Sequence, residues 1–293
     1  MKATTKAHTA VLLTNFFFAT NLSLVKYISP AVIGAFGVNL FRTGISFILF
    51  WALWAFSKNP AGIERKDWGR FLLCALTGVA VNQMLFVKGL TMTSTIHAAL
   101  LMLSTPLLIS VFAFWWLKEK FSGINALGLS LGVGGALLLI ASRDRYGIAS
   151  WQGDLLILIN AISYAIYFIL VKPLMIKYSP LHVIRWVFTL GMIMILPFAW
   201  KDVASINWLQ VNNNHIFALL SIVFFGTFLT YSFNTYGLKH LGAAVTGSYI
   251  YTQPIFAALI AAIFLQEQFN GEKIVAAVLI FAGVFLVSRK PEK

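Results

Sequence analysis

The sequence predicts an all-α polytopic membrane protein: ten transmembrane helices arranged as two inverted five-helix repeats. Three observations carry that expectation. The first is composition: 59% of residues are hydrophobic, 11% are charged and the mean hydropathy is +0.83, whereas a soluble domain carries about 25% charged residues. The second is run length, because the apolar residues fall in continuous stretches of about 20, enough for a helix to cross the hydrocarbon. Barrel strands would alternate over about ten residues instead. The third is self-similarity. Shifted by 148 residues, Gly89-Leu90 meets Gly237-Leu238, Pro106 meets Pro254, Glu119 meets Glu267, Phe121 meets Phe269, Gly123 meets Gly271 and Gly135 meets Gly283. The chain therefore divides into units of residues 1–148 and 149–293. Duplicated hydrophobic units are the usual construction of secondary transporters, with the solute site between them near the bilayer midplane.

The candidate spans, in order, are His8–Tyr27, Ala31–Phe56, Trp68–Val87, Thr95–Leu117, Ile124–Ser142, Gly153–Val171, Leu181–Trp200, Ile216–Tyr236, Ala243–Leu265 and Lys273–Ser288. The longest links, Ser57–Asp67 and Lys201–His215, hold the Asn, Pro, Asp and Gly expected of loops. The polar start Met1–Thr9, with Lys2 and Lys6, precedes an apolar stretch in the manner of a signal peptide. No small-residue cleavage site follows, so an uncleaved first span is expected.

Net charge is +13, but nucleic-acid binding needs the basic residues concentrated on one domain or stripe. Here they punctuate the loops, and no nucleic-acid partner is expected. With the N-terminus in the cytoplasm, inside segments hold 14 of the 22 Lys and Arg, outside segments hold 6, and Arg42 and Arg185 fall within spans. That bias places both termini in the cytoplasm. Five spans per unit, an odd number, invert one copy relative to the other. Such an arrangement supports alternating access. Cys74 is the only cysteine, which excludes an internal disulfide and a Cys-based metal site.

Two stretches, "KGLTMTSTIHAALLMLSTPLLISVFAFWWLKEKFSG" (88–123) and "YGLKHLGAAVTGSYIYTQPIFAALIAAIFLQEQFNG" (236–271), place a Pro within the fourth span and a Glu at its end. The first spans of the two units match more loosely, as "FATNLSLVK" (18–26) and "YAIYFILVK" (164–172). Each is followed by Ser-Pro and an Arg: Ser29-Pro30 with Arg42, and Ser179-Pro180 with Arg185. On these residues the chain resembles the EamA-type permeases of the drug/metabolite transporter superfamily, over essentially its whole length. The resemblance implies a ten-helix inner-membrane carrier that exports amino acids, metabolites or drugs. It does not fix a cargo.

Polar groups inside a bilayer are costly and need a partner or a water-filled cavity. Repeat registration sorts them. Phe18 and Asn21 correspond to Tyr164 and Tyr167 at a shift of 146, and Asn82 and Phe86 to Thr230 and Asn234 at 148. Residues three or four apart share a helix face, so both units present a partly polar face. With Tyr231, and with Tyr249 and Gln253 in span nine, these residues are expected to line a substrate cavity of spans one, three, four, six, eight and nine. His97 in span four joins them as the candidate proton carrier, because imidazole titrates near neutral pH. Each Asn and Gln can equally serve as glue between helices.

No Asp or Glu is expected within a span interior, which argues against a carboxylate proton relay. Glu119 and Glu267 are expected to be structural, on opposite membrane faces. Pro106 and Pro254 each remove a helical hydrogen bond and are candidate hinges. Gly128, Gly132 and Gly135 form a small-residue stripe that packs within the chain or at a dimer face. Arg42 can attract a substrate carboxylate, whereas Arg185 is expected to snorkel to the surface. The expected function is a carrier of amino acids or similar amphipathic solutes, as a monomer or homodimer with the lipid bilayer around it. It needs no cofactor or metal and has no catalytic residues. The rivals are an intramembrane lipid-modifying enzyme, which would need clustered acids, bases or metal ligands that do not appear, and a non-transporting membrane scaffold.

Overall fold

The computed structural model describes residues 3–57, 62–117, 123–141, 150–234, 236–237, 240–241, 249–265 and 271–288. Among them every regular element is helical: α1 Ala3–Ile28, α2 Ala35–Ala55, α3 Arg65–Met92, α4 Thr95–Met102 continued by Ser104–Leu117, and α5 Gly123–Ala141. Then follow α6 Trp151–Lys177, α7 Pro180–Ala204, α8 Asn213–Asn234, α9 Tyr249–Phe264 and α10 Gly271–Ser288. Eight of these, α1 to α8, are long and apolar enough to cross a membrane, while α9 is a shorter apolar helix. The chain is a multi-pass membrane protein. Helices are what lipid permits, since every backbone polar group must be satisfied within its own segment.

The loops set where each helix starts. Ser94 Oγ accepts from the His97 backbone N–H at 3.0 Å to begin α4, and Ser150 Oγ accepts from Gly153 N–H at 3.1 Å to begin α6. Ser179 Oγ accepts from His182 N–H at 3.3 Å to begin α7, with Pro180 as the first helical residue. Asn212 and His215 form a reciprocal capping box at the start of α8.

Helix packing follows the 148-residue shift. Helix α5 lies along its counterpart α10, and α2 along its counterpart α7. The α3–α6 and α4–α6 contacts have counterparts in α8–α1 and α9–α1. Small residues make the first of these possible. A Cβ on Gly135 would come 2.9 Å from the Ala276 carbonyl, and one on Gly283 would come 2.4 Å from the Gly128 carbonyl. The glycine stripe of span five is therefore used within the chain. At the α2–α7 seam, Asp202 Oδ2 accepts from the N–H groups of Phe36 at 2.8 Å and Gly37 at 3.2 Å. A carboxylate from the end of one helix thus satisfies the start of another.

Two irregularities repeat as well. Helix α3 contains a π turn at Leu76–Ala80 and α8 one at Phe224–Leu229, and the shift of 148 carries Leu76 onto Phe224. Single π turns inside α-helices are frequent at functional sites. Helix α4 is interrupted at Leu103, and α9 opens with a 3₁₀ turn at Tyr249–Thr252. Each irregularity comes just before its proline, Pro106 or Pro254, which cannot donate to the carbonyl four residues back. At the expected cytoplasmic end, Lys177 Nζ meets Asp67 Oδ2 at 2.5 Å and Glu64 Oε2 at 2.6 Å, and the Tyr178 hydroxyl donates to Asp67 at 2.6 Å. Lys177 holds the exposed Glu64 carboxyl below the usual carboxylate range. Glu119 and Glu267 lie outside the described residues.

Candidate functional site

The two π turns fix two equivalent contacts. Gly78, in the α3 turn, lies under the Tyr167 ring of α6, where an added Cβ would come within 2.4 Å of the ring. Gly226, in the α8 turn, lies against the Asn21 amide of α1, where an added Cβ would come within 2.4 Å of Oδ1. Asn21 and Tyr167 are the residues that repeat registration pairs. Both glycines are required by close approach, and both contacts lie deep in the bundle. Asn21 is 1% exposed, and neither its carbonyl oxygen nor its amide nitrogen has a hydrogen-bond partner.

Polar side chains lie beside these turns: Gln83 of α3 is 3% exposed with neither side-chain polar atom hydrogen-bonded among the described residues, and Tyr231 of α8 packs against a buried cluster that includes Tyr167 and Phe188. The shift of 148 carries Gln83 onto Tyr231. Arg42 is 3% exposed, and its Nε donates to Thr227 Oγ1, within the α8 π turn, at 3.1 Å. Thr227 in turn donates to the Ile222 carbonyl at 3.1 Å. The Arg42 Nη1 is buried without a hydrogen-bond partner. An aromatic wall backs the patch. The Tyr231 ring meets Phe188 edge-on at 5.0 Å, and Tyr164 and Tyr167 are 5.7 Å apart by ring centroid. Tyr164 and Tyr231 both pack against the buried cluster that contains Tyr167. Such a site offers a cation, neutral hydrogen-bonding groups and apolar ring faces to one small solute.

Of the residues singled out from sequence, Tyr164, Tyr167 and Tyr231 pack in one cluster, and Asn21 rests against Gly226 in the α8 turn. The others have different surroundings. The Asn82 amide donates to the Asn160 carbonyl at 3.4 Å and Asn160 returns the bond at 2.7 Å, so the pair ties α3 to α6. The Tyr249 hydroxyl lies 2.9 Å from His8 Nδ1 and ties α9 to α1. Asn234 is half-buried near the end of α8, and Gln253 is half-buried at the end of the 3₁₀ turn of α9. Span two, left out of the expected lining, supplies Arg42.

Three sequence expectations need correction or completion. A carboxylate does lie within a span: Asp154, in the first turn of α6, is 1% exposed. Its Oδ2 is 3.0 Å from His97 Nδ1, and its Oδ1 accepts from the Thr93 hydroxyl. His97 is therefore one half of a buried carboxylate–imidazole pair joining the start of α4 to the start of α6. Its partner stands 57 residues away, which no local spacing reveals. Asp154 went unnoticed because it sits at the very edge of its apolar run. Finally, Arg185 does not snorkel. It is 0% exposed, with its guanidinium 4.1 Å from the Trp54 ring, 4.5 Å from Trp51 and 5.5 Å from Trp186, and its Nη2 is 3.1 Å from His182 Nδ1. Three indoles satisfy this cation internally. Among the described residues no group of three or more His, Cys, Asp and Glu side chains could hold a metal ion.

Comparison with known proteins places this geometry. The model of the EamA-like transporter family matches the chain twice, over residues 5–141 and 151–289. A chloroplast WAT1-related protein of Arabidopsis thaliana is 27% identical over 281 residues, covering 93% of this chain and 67% of its own length. A probable terminal-alkyne amino-acid exporter of Streptantibioticus cattleyicolor is 24% identical, covering 88% of this chain and 85% of its own. One solved crystal structure superposes with a TM-score of 0.63 over 97% of this chain and 96% of the other, at 16% identity, a likeness of fold alone.

Proposed function

The chain belongs to the EamA-like transporter family and is a transporter rather than an enzyme, and from that premise we propose that it is a secondary carrier of amino acids or similar amphipathic solutes. In this reading ten helices form two inverted five-helix units, 1–148 and 149–293, in the inner membrane with both termini in the cytoplasm. The solute sits between the units, and exchange of shape between them opens the site to one face and then the other. The single observation that carries the reading is the buried Arg42, in no ion pair among the described residues, donating to Thr227 within the α8 π turn that matches the π turn of α3. The double match to the family model supports the division into two units. The likeness to an amino-acid exporter supports the cargo class.

The lining consists of Asn21, Tyr164, Tyr167 and Tyr231 with Arg42 and Gln83. Asn82, Asn234 and Gln253 flank it, and His97 and Tyr249 act at the ends of the seams. Pro106 and Pro254 serve as hinges where α4 and α9 are already irregular. Reconstitution into proteoliposomes tests this with a panel of radiolabelled amino acids and amines. The expected result is saturable flux of at least one panel member, competed by unlabelled solute. Folded protein that moves no panel member, or that converts a solute without moving it, overturns the reading.

A further inference from the structure

Arg42 is a buried cation whose protein surroundings do not neutralise it. A guanidinium stays protonated at any physiological pH, and a charge inside a bilayer is costly unless it is paired. Among the described residues the ion pairs involve Lys66, Lys177 and His97 with Glu64, Asp67 and Asp154, and Arg42 is in none of them. The fold satisfies its other span-buried arginine, Arg185, with three indole rings. Arg42 has only the Thr227 hydroxyl on Nε, while Nη1 is buried and unpartnered.

A second buried polar side chain without partners touches the neighbouring residue of the same turn. Gly226, against which the Asn21 amide rests, is the residue before Thr227. Both polar atoms of Asn21 are buried without partners. A guanidinium edge matches the two oxygens of a carboxylate, and an amide oxygen accepts from an ammonium group. Resting on the carrier reading above, we propose that Arg42 anchors the carboxylate of the transported solute and that Asn21 receives its ammonium group. The cargo class is then the zwitterionic amino acid, with its side chain against the Tyr164, Tyr167 and Tyr231 rings. Carboxylate-free amines of the same shape are excluded, because they would leave the guanidinium unpaired.

The test compares matched solutes on the intact protein in proteoliposomes: leucine with isoamylamine and leucine methyl ester, and phenylalanine with phenethylamine and its methyl ester. Wild type is expected to favour each amino acid over its amine and ester by about 30-fold or more in uptake, the scale of an unpaired buried charge. Arg42→Gln is expected to lose amino-acid uptake by a similar factor while its melting temperature stays at or above that of wild type. Arg42→Lys, which keeps the charge and loses the fork, falls between. Leucine should raise the melting temperature of detergent-solubilised wild type and not that of Arg42→Gln. The wild-type comparison needs no variant, so a failure of Arg42→Gln to fold does not blunt the test. Saturable flux of amines or esters equal to that of the amino acids overturns the anchor while leaving the carrier reading intact. Absence of flux for every solute overturns both.

Discussion

The two halves of the molecule repeat a backbone and differ in chemistry. At one seam, between α3 and α6, a glycine in a π turn supports the ring of Tyr167; at the equivalent seam, between α8 and α1, a glycine in the matching turn supports the amide of Asn21. In one half the arginine of the second helix donates to Thr227 in the α8 π turn; in the other the arginine is enclosed by Trp51, Trp54 and Trp186. The α4–α6 contact is tied by a buried carboxylate and imidazole, and the corresponding α9–α1 contact by a half-buried phenol and imidazole. The lesson is a division of labour. Shared features position the helices, and the side chains that differ make the equivalent seams chemically unlike.

The largest expected effect concerns the paired links. Asp154→Ala strands His97 and Thr93 in the interior, and breaking a buried pair by removing one partner costs about 3–5 kcal/mol. Tyr249→Phe removes one hydrogen bond from the counterpart link, worth about 1 kcal/mol. Thermal unfolding in detergent should separate the two clearly. Equal losses would mean that the halves are tied equally and that the comparison fails at this point.

The glycines come next. Gly78→Ala and Gly226→Ala each force a Cβ into an occupied contact, and overpacking of this kind costs about 1–3 kcal/mol. Rescue distinguishes the seams: Asn21→Ala should restore most of the stability of Gly226→Ala and none of that of Gly78→Ala, whereas Tyr167→Ala should do the reverse. Cross-rescue would show that the seams are coupled rather than separate.

The arginines sharpen the contrast further. Arg185→Met gives up cation–π contacts with half-buried indoles, each worth about 0.5–2 kcal/mol, and should lower the melting temperature. Arg42→Met removes an uncompensated charge and should leave the solute-free melting temperature unchanged or raise it. A comparable loss for both would place Arg42 among the structural cations. The smallest effect bears on the unit boundaries. Cysteines at Lys293 and at Asn213, in a Cys74→Ser background, should leave stability unaltered and react with an impermeant thiol reagent from opposite faces. Reaction of both from one face contradicts the inverted arrangement.

Much of this was written in the sequence, for physical reasons that also explain what was not. Runs such as Leu181–Trp200 are legible because lipid admits only helices of that length and polarity. The matching positions of Asn21 and Tyr167, each against the glycine of a π turn, are legible because the repeat registers one on the other. The equivalence of Gln83 and Tyr231 follows from the same register. The π turns leave no signature in residue type, since nothing in Leu76–Ala80 distinguishes it from the α-helix around it. Arg185 was misplaced because closeness to a span end suggests snorkelling, while its cage is built partly from Trp51 and Trp54 on another helix. Asp154 escaped because a carboxylate at the edge of an apolar run looks like a loop residue until His97 and Thr93 arrive from 57 and 61 residues away.

Access to the patch decides the account most directly. A cysteine replacing Gln83 in a Cys74→Ser background, reconstituted in proteoliposomes, can be challenged with an impermeant thiol reagent from either face. The account predicts reaction from both faces, slowed from each by a transported amino acid. Reaction from neither face, or from one face alone with no protection by any transported solute, would contradict a carrier whose site lies between the two halves.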